Sequence, residues 1–416
     1  MAAATQKTTS PIDGSVYVER PYATGAEIAT ALAEARRAQK AWRMVPVEER
    51  RRALSRAVDR FVSHRDAIAE EITRQIGRPI GQSPGEVRGF EERARHMLAC
   101  APASLADIAV DPKPGFTRFI RREPLGVVFT VAPWNYPYLT AVNSIIPALA
   151  AGNVMVLKPS EYTSASLLEF MKLIEAAGFP PGVVNVVTGF GPEAGTPLVE
   201  HPMVAKVAFT GSDATGQKIY EAAAKGLKRV SMELGGKSPN IVFDDAHLDN
   251  AVKGVISGIF AATGQTCIAG SRLLVQQSIH DQFVDKLVAF ARTARMGDPM
   301  SLDTQVGPVT NKPQFEKILR YIDIAKGEGA QTLLGGARAS RPECGSGWFV
   351  EPTIFTGVHN RMRIAQEEVF GPVLSVIPFD SDDEAVAIAN DVMYGLAAGV
   401  WTTSMRRAIE MSERLQ

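Results

Sequence analysis

The chain of 416 residues is longer than a single hydrophobic core usually grows, so at least two domains are expected, and its 45% hydrophobic and 22% charged content excludes disorder and collagen-like repeats. Its 45 Lys and Arg balance 45 Asp and Glu, which leaves no net field for nucleic acid or an anionic membrane; the expected partners are small molecules or other protein subunits. Three cysteines, Cys100, Cys267 and Cys344, are too few and too scattered for a disulfide framework or a cysteine-rich zinc site, so they read as thiols in a reducing compartment, with no metal expected.

The first residues, MAAATQKTTSPIDG, lack the basic cluster and apolar run of a secretory signal. The most apolar stretch, residues 136–157, is interrupted by Asn143, Pro147, Gly152 and Asn153, so no membrane span is expected and cytoplasmic residence is the default. Residues 26–74 place Leu54, Val58, Phe61 and Val62 at helical spacing and predict two or three surface helices. A second helical stretch, 84–105, is rich in Arg and Glu and shows no chemistry. The turn DPKPG between two short extended runs predicts a projecting hairpin over 107–122.

After Pro124 the pattern becomes regular: strand LGVVFTVA, helix from Tyr138, strand VMVL, helix from Ser164, strand VVNVV, helix from Pro192, strand KVAFT, helix from Ala214. Such alternation implies an α/β fold with a parallel sheet covered on both faces. The loops PWNYP, KPSE and TGSDATG should then emerge at the carboxyl ends of the strands, where open sheets of this kind bind ligands. A second series follows, with strand NIVF, a helix through Ala262, strand RLLVQ and a helix from Ile279 to Arg295. The glycine pair at Gly235 and Gly236 marks the boundary between the two series.

Five segments are candidates for chemistry or binding. Cys267 in ATGQTCIAGSR reads alone as a small buried hydrophobe or as a nucleophile; Gly264 and Gly270 beside it favour an exposed loop whose backbone N–H groups face the sulfur. Glu233 in SMELGGKSPN reads as a surface glutamate or as a base reaching into a cleft past two glycines. Asn135, held between Pro133 and Pro137, is a turn former or a rigid oxyanion donor. Gly211 to Gly216 follows a strand and opens a helix, a place for phosphate, although its spacing departs from G-x-G-x-x-G. Lys158 and Glu161 stand at another strand end, as an exposed ion pair or as ribose ligands.

Taken in order, VAPWNYP, VLKPSE, FTGS, MELGGKSPNIV, GQTC and EEVFGPV resemble the motif series of the NAD(P)-dependent aldehyde dehydrogenases, from PIDGSV to GLAAGVWT. The resemblance implies two doubly wound parallel-sheet domains with an oligomerisation hairpin: a dinucleotide-binding domain over 1–106 and 124–235, the hairpin at 107–123, and a catalytic domain over 236–416. It implies Cys267 as the nucleophile that forms a thiohemiacetal and then a thioester, Asn135 with the Cys267 N–H as the oxyanion donors, and Glu233 as the base that hydrolyses the thioester. It implies a cofactor held by Lys158 and Glu161 at the adenosine ribose, Gly211, Ser212 and Gly216 near the pyrophosphate, Glu368 and Phe370 at the nicotinamide ribose, and Trp134 beside them.

A carboxylate at position 161 repels an added 2'-phosphate, which argues for NAD with NADP possible. By the same resemblance Tyr136, Leu139, Thr140, Asn143, Thr266 and Ile268 line a substrate tunnel, with polar Asn143 where many relatives carry an aromatic ring. The family continues beyond the position of Gln416 into a segment that contributes to the channel wall and pairs across subunits. The expectation is therefore a homodimer or homotetramer for the full-length form, and a chain ending at Gln416 that is less stable and inactive or misassembled. Two rivals are a coenzyme A-acylating semialdehyde dehydrogenase, disfavoured by the retained Glu233, and a non-catalytic remnant of the family, disfavoured by the retention of Cys267, Glu233 and Asn135 together.

Overall fold

The computed structural model describes residues 5–416. The chain divides into two units that are each discontinuous: one is built from the residues up to Thr8, Val16–Ile72 and Ser83–Leu234, the other from Thr9–Ser15, Thr73–Gln82 and Gly235–Gln416.

The first unit opens with strands β1 (Thr5–Thr9) and β2 (Val16–Pro21), paired as a small separate sheet. Helix α1 (Gly25–Trp42) starts at a capping box in which the Thr24 hydroxyl accepts the Glu27 N–H at 3.2 Å while Glu27 accepts the Thr24 N–H at 2.7 Å. Helices α2 (Val47–Val62), α3 (Arg65–Ile76) and α4 (Pro84–Leu105) follow, so the stretch read as two or three helices holds three before α4. Strands β3 (Ile108–Ala109) and β4 (Phe119–Ile120) form the hairpin, with Ile108 opposite Ile120.

Then come β5 (Val127–Val131), α5 (Pro137–Ala150), β6 (Val154–Lys158), α6 (Ser164–Ala176), β7 (Val184–Val186), α7 (Thr196–Glu200), β8 (Val204–Thr210), α8 (Asp213–Lys225) and β9 (Arg229–Glu233). The helix expected from Pro192 begins only at Thr196, because residues Gly191–Gly195 form a single wider turn of π type. The sheet is parallel throughout, in the order β7-β6-β5-β8-β9. Right-handed crossovers put α5 and α6 on one face and α7 and α8 on the other. Phe61, Phe90, Tyr138 and Phe170 bind α2, α4, α5 and α6 together, with ring centroids 4.3 Å apart for Phe61–Phe90 and 5.1 Å for Phe61–Tyr138.

The second unit contains β10 (Pro239–Val242), α9 (Leu248–Phe260), β11 (Arg272–Gln276), α10 (His280–Ala291), α11 (Lys312–Gly327), β12 (Gln331–Leu334), β13 (Thr353–Thr356), α12 (Arg363–Gln366), β14 (Val373–Phe379), α13 (Asp382–Asn390), β15 (Gly399–Trp401) and α14 (Met405–Arg414). Its sheet runs β12-β13-β14-β11-β10-β15, parallel except for β12 at the edge. Successive residues alternate between two cores: Ile241, Leu274 and Ile377 pack with Ile318 and Ala385 on one side, Val242, Leu273 and Val376 with Val255 and Leu287 on the other. Among the described residues, no helix is long and apolar enough to cross a membrane.

Candidate active site

In the first unit the strand ends come level at the carboxyl edge of the sheet, where Val131 is in register with both Lys158 and Phe209, and Thr210 with Glu233. The chain builds outward from β5 to β7, then returns to add β8 and β9, so the direction of winding reverses between β5 and β8. PWNYP, KPSE and TGSDATG emerge around this reversal, the place where doubly wound sheets take nucleotides.

Asn135 is 7% exposed and lies just before α5, whose first residue is Pro137; Trp134 precedes it, half-buried. Lys158 ends β6 with its side chain buried and its Nζ donating to the Pro159 carbonyl at 3.2 Å. Burial pushes this ammonium down from its ordinary value and the Glu161 charge opposes the shift. Glu161 is fixed through its backbone carbonyl, which accepts bonds from Gln6 Nε2 and from Thr8 Oγ1, the latter at 3.1 Å. Burial, and then the same Glu161 charge, push up the hydroxyls of Tyr22 and Tyr162.

Gly211 N–H donates to the Glu233 carbonyl at 3.0 Å, and Ser212 takes the N-cap position of α8, its Oγ bonded to Thr215 Oγ1 at 3.0 Å. A Cβ on Gly216 would lie 2.6 Å from Leu234 Cδ2, so only glycine lets the first turn of α8 sit this close to the chain leaving β9. A helix N-terminus, an adjacent glycine turn and a buried lysine fit a phosphate-bearing nucleotide at this edge.

Beside α5 the sheet is partly open at β8 and β9. The result is a cleft of about 370 Å³ lined by Thr210, Ser231 and Glu233 from the sheet, Pro133 from the loop, and Thr140 and Asn143 from α5. Glu233, the last residue of β9, is exposed in it.

In the second unit the chemistry-bearing loops gather at the opposite, amino edge of the sheet: Lys237 enters β10, Cys267 precedes β11 and Phe370 precedes β14. The helix expected to run through Ala262 stops at Phe260, because Ala262, Thr263 and Gly264 all take left-handed backbone conformations, with φ of 50°, 57° and 70°. Neither Ala nor Thr favours that region, so neighbours must hold it. Thr263 Oγ1 donates to the Gly307 carbonyl at 3.1 Å, Gln265 Nε2 to the Ala262 carbonyl at 3.2 Å, and Gln265 Oε1 accepts the Thr310 N–H at 3.0 Å.

Backbone packs directly on backbone here. A Cβ on Gly264 would lie 2.1 Å from the Gly371 carbonyl oxygen, and one on Gly236 would lie 2.3 Å from that of Cys267. Cys267 is half-buried on this loop, between half-buried Thr266 and exposed Ile268, whereas Cys344 is buried and its thiol pushed up by desolvation. Cys100 is exposed on α4.

Glu368 Oε1 accepts the Gly236 N–H at 3.1 Å. Phe370, with φ 61°, is held by Gln314 Nε2, which donates to the carbonyls of Val369 at 2.8 Å and Phe370 at 3.0 Å. Gln265 and Gln314 escape a reading of the sequence: one sits beside the eye-catching cysteine, the other in an ordinary amphipathic helix, and only the buried carbonyls they serve reveal them. Among the described residues there is no group of three or more His, Cys, Asp or Glu able to hold a metal ion.

A family model described as the aldehyde dehydrogenase family matches residues 1–416. The chain is 42% identical to an aldehyde dehydrogenase of Deinococcus radiodurans over 98% of its own length and 80% of that protein's. It is 50% identical to a chloroplastic aminoaldehyde dehydrogenase of Arabidopsis thaliana over 76% of its length, which spans 62% of the plant protein. Its structure is similar to that of PnpE from Pseudomonas sp. WBC-3, also solved in complex with nicotinamide adenine dinucleotide, at 41% identity with a TM-score of 0.96 over 99% of this chain and 84% of that one. A betaine aldehyde dehydrogenase of Staphylococcus aureus in complex with NAD+ gives 36% identity and a TM-score of 0.96 over 100% of this chain and 84% of that one.

Proposed function

The chain belongs to the aldehyde dehydrogenase family, and from that premise we propose that it oxidises an aldehyde to a carboxylic acid, with NAD as acceptor and Cys267 as nucleophile. The observation that carries the reading is the setting of Cys267. Of three thiols it is the one on a loop held in strained, left-handed backbone by buried amides, with glycine backbone packed against its carbonyl. Strain of this kind concentrates where a reactive group must be aimed.

In this reading the Cys267 thiolate adds to the aldehyde carbon, and the carbonyl oxygen becomes an oxyanion that the Asn135 side-chain amide and the Cys267 N–H hold. The dinucleotide, when bound, supplies the two-electron acceptor that makes the adduct a thioester. Glu233 then takes a proton from water as the water oxygen adds to the thioester carbon; the carbon–sulfur bond breaks and the acid leaves, returning Cys267 as thiolate.

The first unit serves as the dinucleotide-binding domain through Lys158, Glu161, Gly211, Ser212 and Gly216, with Trp134 beside them, and the second as the catalytic domain, with Glu368 and Phe370 toward the nicotinamide ribose. The carboxylate of Glu161, on a residue whose backbone carbonyl is fixed, supports NAD over NADP, because a 2'-phosphate beside it meets like charge. Relatives named for betaine aldehyde and aminoaldehydes make small amino- or ammonium-bearing aldehydes the first substrates to assay. The exposed apolar residues of the hairpin, Ile108, Phe116, Phe119 and Ile120, support assembly into a homodimer or homotetramer.

The test is aldehyde-dependent growth of NADH absorbance, with identification of the product. Wild type should yield the free acid without added coenzyme A, and Cys267→Ala should lose at least about 10³-fold in rate. Equal rates in the two proteins would remove Cys267 from the mechanism.

A further inference from the structure

Glu86, in the first turn of α4, has only 1% of its surface exposed. A carboxylate is rarely buried so completely unless other groups compensate its charge. Its Oε1 accepts the backbone N–H of Tyr138 at 2.8 Å and that of Leu139 at 3.2 Å. These donors belong to the first turn of α5, which has no side-chain cap of its own at Tyr136 and begins with Pro137, a residue without an N–H. Thr140 is the first residue there whose N–H returns to a carbonyl of the same turn, that of Tyr136, at 3.1 Å. The N-terminus of α5 is thus capped from a different helix, by a negative charge placed at the positive end of its dipole.

The same face of α4 continues the grip. Gly89, three residues on, leaves room for Leu139: a Cβ there would lie 2.7 Å from Leu139 Cδ1. Arg93, one turn further, donates from Nη1 to the Leu139 carbonyl at 3.1 Å. Leu139 is therefore held at both its N–H and its C=O by one helix face, and the buried Tyr138 beside it anchors its hydroxyl on the Ser166 carbonyl at 2.8 Å. Asn135 lies three residues before Tyr138, on the short rigid lead-in between Pro133 and Pro137. Whatever fixes the first turn of α5 fixes the direction of that amide.

We propose that Glu86 is a positioning residue for the reaction, holding the first turn of α5 so that the Asn135 side-chain amide stays aimed at the developing oxyanion. The proposal rests on Asn135 being that donor. A displacement of the amide by a fraction of an ångström weakens the bond only where charge appears, so the loss falls on the acylation rate rather than on cofactor affinity.

The experiment is a double-mutant cycle on the single-turnover rate of NADH formation, at saturating aldehyde and NAD and well below the unfolding temperature of every variant. Asn135→Ala should slow the step about 10²- to 10³-fold, and Glu86→Ala about 10- to 30-fold with the KM for NAD unchanged. In the Asn135→Ala background, Glu86→Ala should change the rate less than about twofold, because no amide remains to be aimed. Glu86→Gln, which keeps a carbonyl oxygen as acceptor, should return to within about threefold of wild type. If Glu86→Ala does not fold, Glu86→Asp, which keeps the charge but withdraws the acceptor by one methylene, takes its place in the same cycle. Equal slowing in both backgrounds overturns the proposal and makes Glu86 a structural cap only, leaving Asn135 in its role; an Asn135→Ala enzyme as fast as wild type overturns the reading of Asn135 instead, and the proposal with it.

Discussion

Lys237 lies between β9 and β10 with 2% of its surface exposed, and its ammonium is pushed down to about 7, first by burial, then by the like charge of Arg272, against the pull of Glu368. Between that value and the ordinary 10.5 the folded protein holds fewer protons at this site than the unfolded chain, so unfolding takes protons up and stability rises with pH through the window. The urea midpoint of wild type should therefore climb from pH 7 to pH 9, and Lys237→Met should flatten the climb. Parallel pH profiles for the two proteins would dismiss Lys237 as its source. At the same scale, Glu233→Gln removes the proposed base without touching the sulfur. It should give a burst of NADH near one equivalent per site, followed by turnover about 10²- to 10⁴-fold slower than wild type, as the thioester waits for water. Loss of burst and turnover together would place Glu233 in acylation instead.

Among the elements, the hairpin formed by β3 and β4 presents several large apolar side chains to solvent, with Phe116 64%, Ile120 54% and Phe119 46% exposed. If it is an assembly arm, replacing Phe119 and Ile120 by Asp should shift the protein toward monomer in sedimentation while leaving its circular dichroism unchanged. An unshifted mass would rule the arm out. The hairpin, strands β5 to β8 of the first sheet and helix α4 were legible from turn chemistry and periodicity, because each owes its form to its own residues. The break after Phe260 was not legible. Ala262 and Thr263 carry no local preference for left-handed backbone, and much of what holds them and their loop comes from far along the chain: Gln82, Gly307, Thr310 and Gly371. Helix α4 itself was legible as a helix but not as chemistry, since nothing in its sequence says that Glu86 meets the backbone of α5.

For the whole molecule, the second unit joins Gly235–Gln416 to two short insertions, Thr9–Ser15 and Thr73–Gln82, that nothing in the sequence announced. Those insertions are bound by backbone groups, which leave no pattern in a sequence: Trp348 N–H donates to the Pro11 carbonyl at 3.1 Å, Ile80 N–H to the Pro299 carbonyl at 2.7 Å, and Thr310 Oγ1 to the Ile76 carbonyl at 3.0 Å. A fragment of residues 235–416 should accordingly show no cooperative thermal transition, and a sharp transition with dispersed amide resonances would contradict this. The interleaving also sets a timetable for biosynthesis. Ser346 Oγ donates to the Asp13 carbonyl across 333 residues of chain. At ribosomal rates of about 5–20 residues per second, the segment around Asp13 waits roughly 15–70 s before its partner is made. For that interval the segment around Asp13 is an early-born piece of a late-maturing body, within reach of chaperones and proteases.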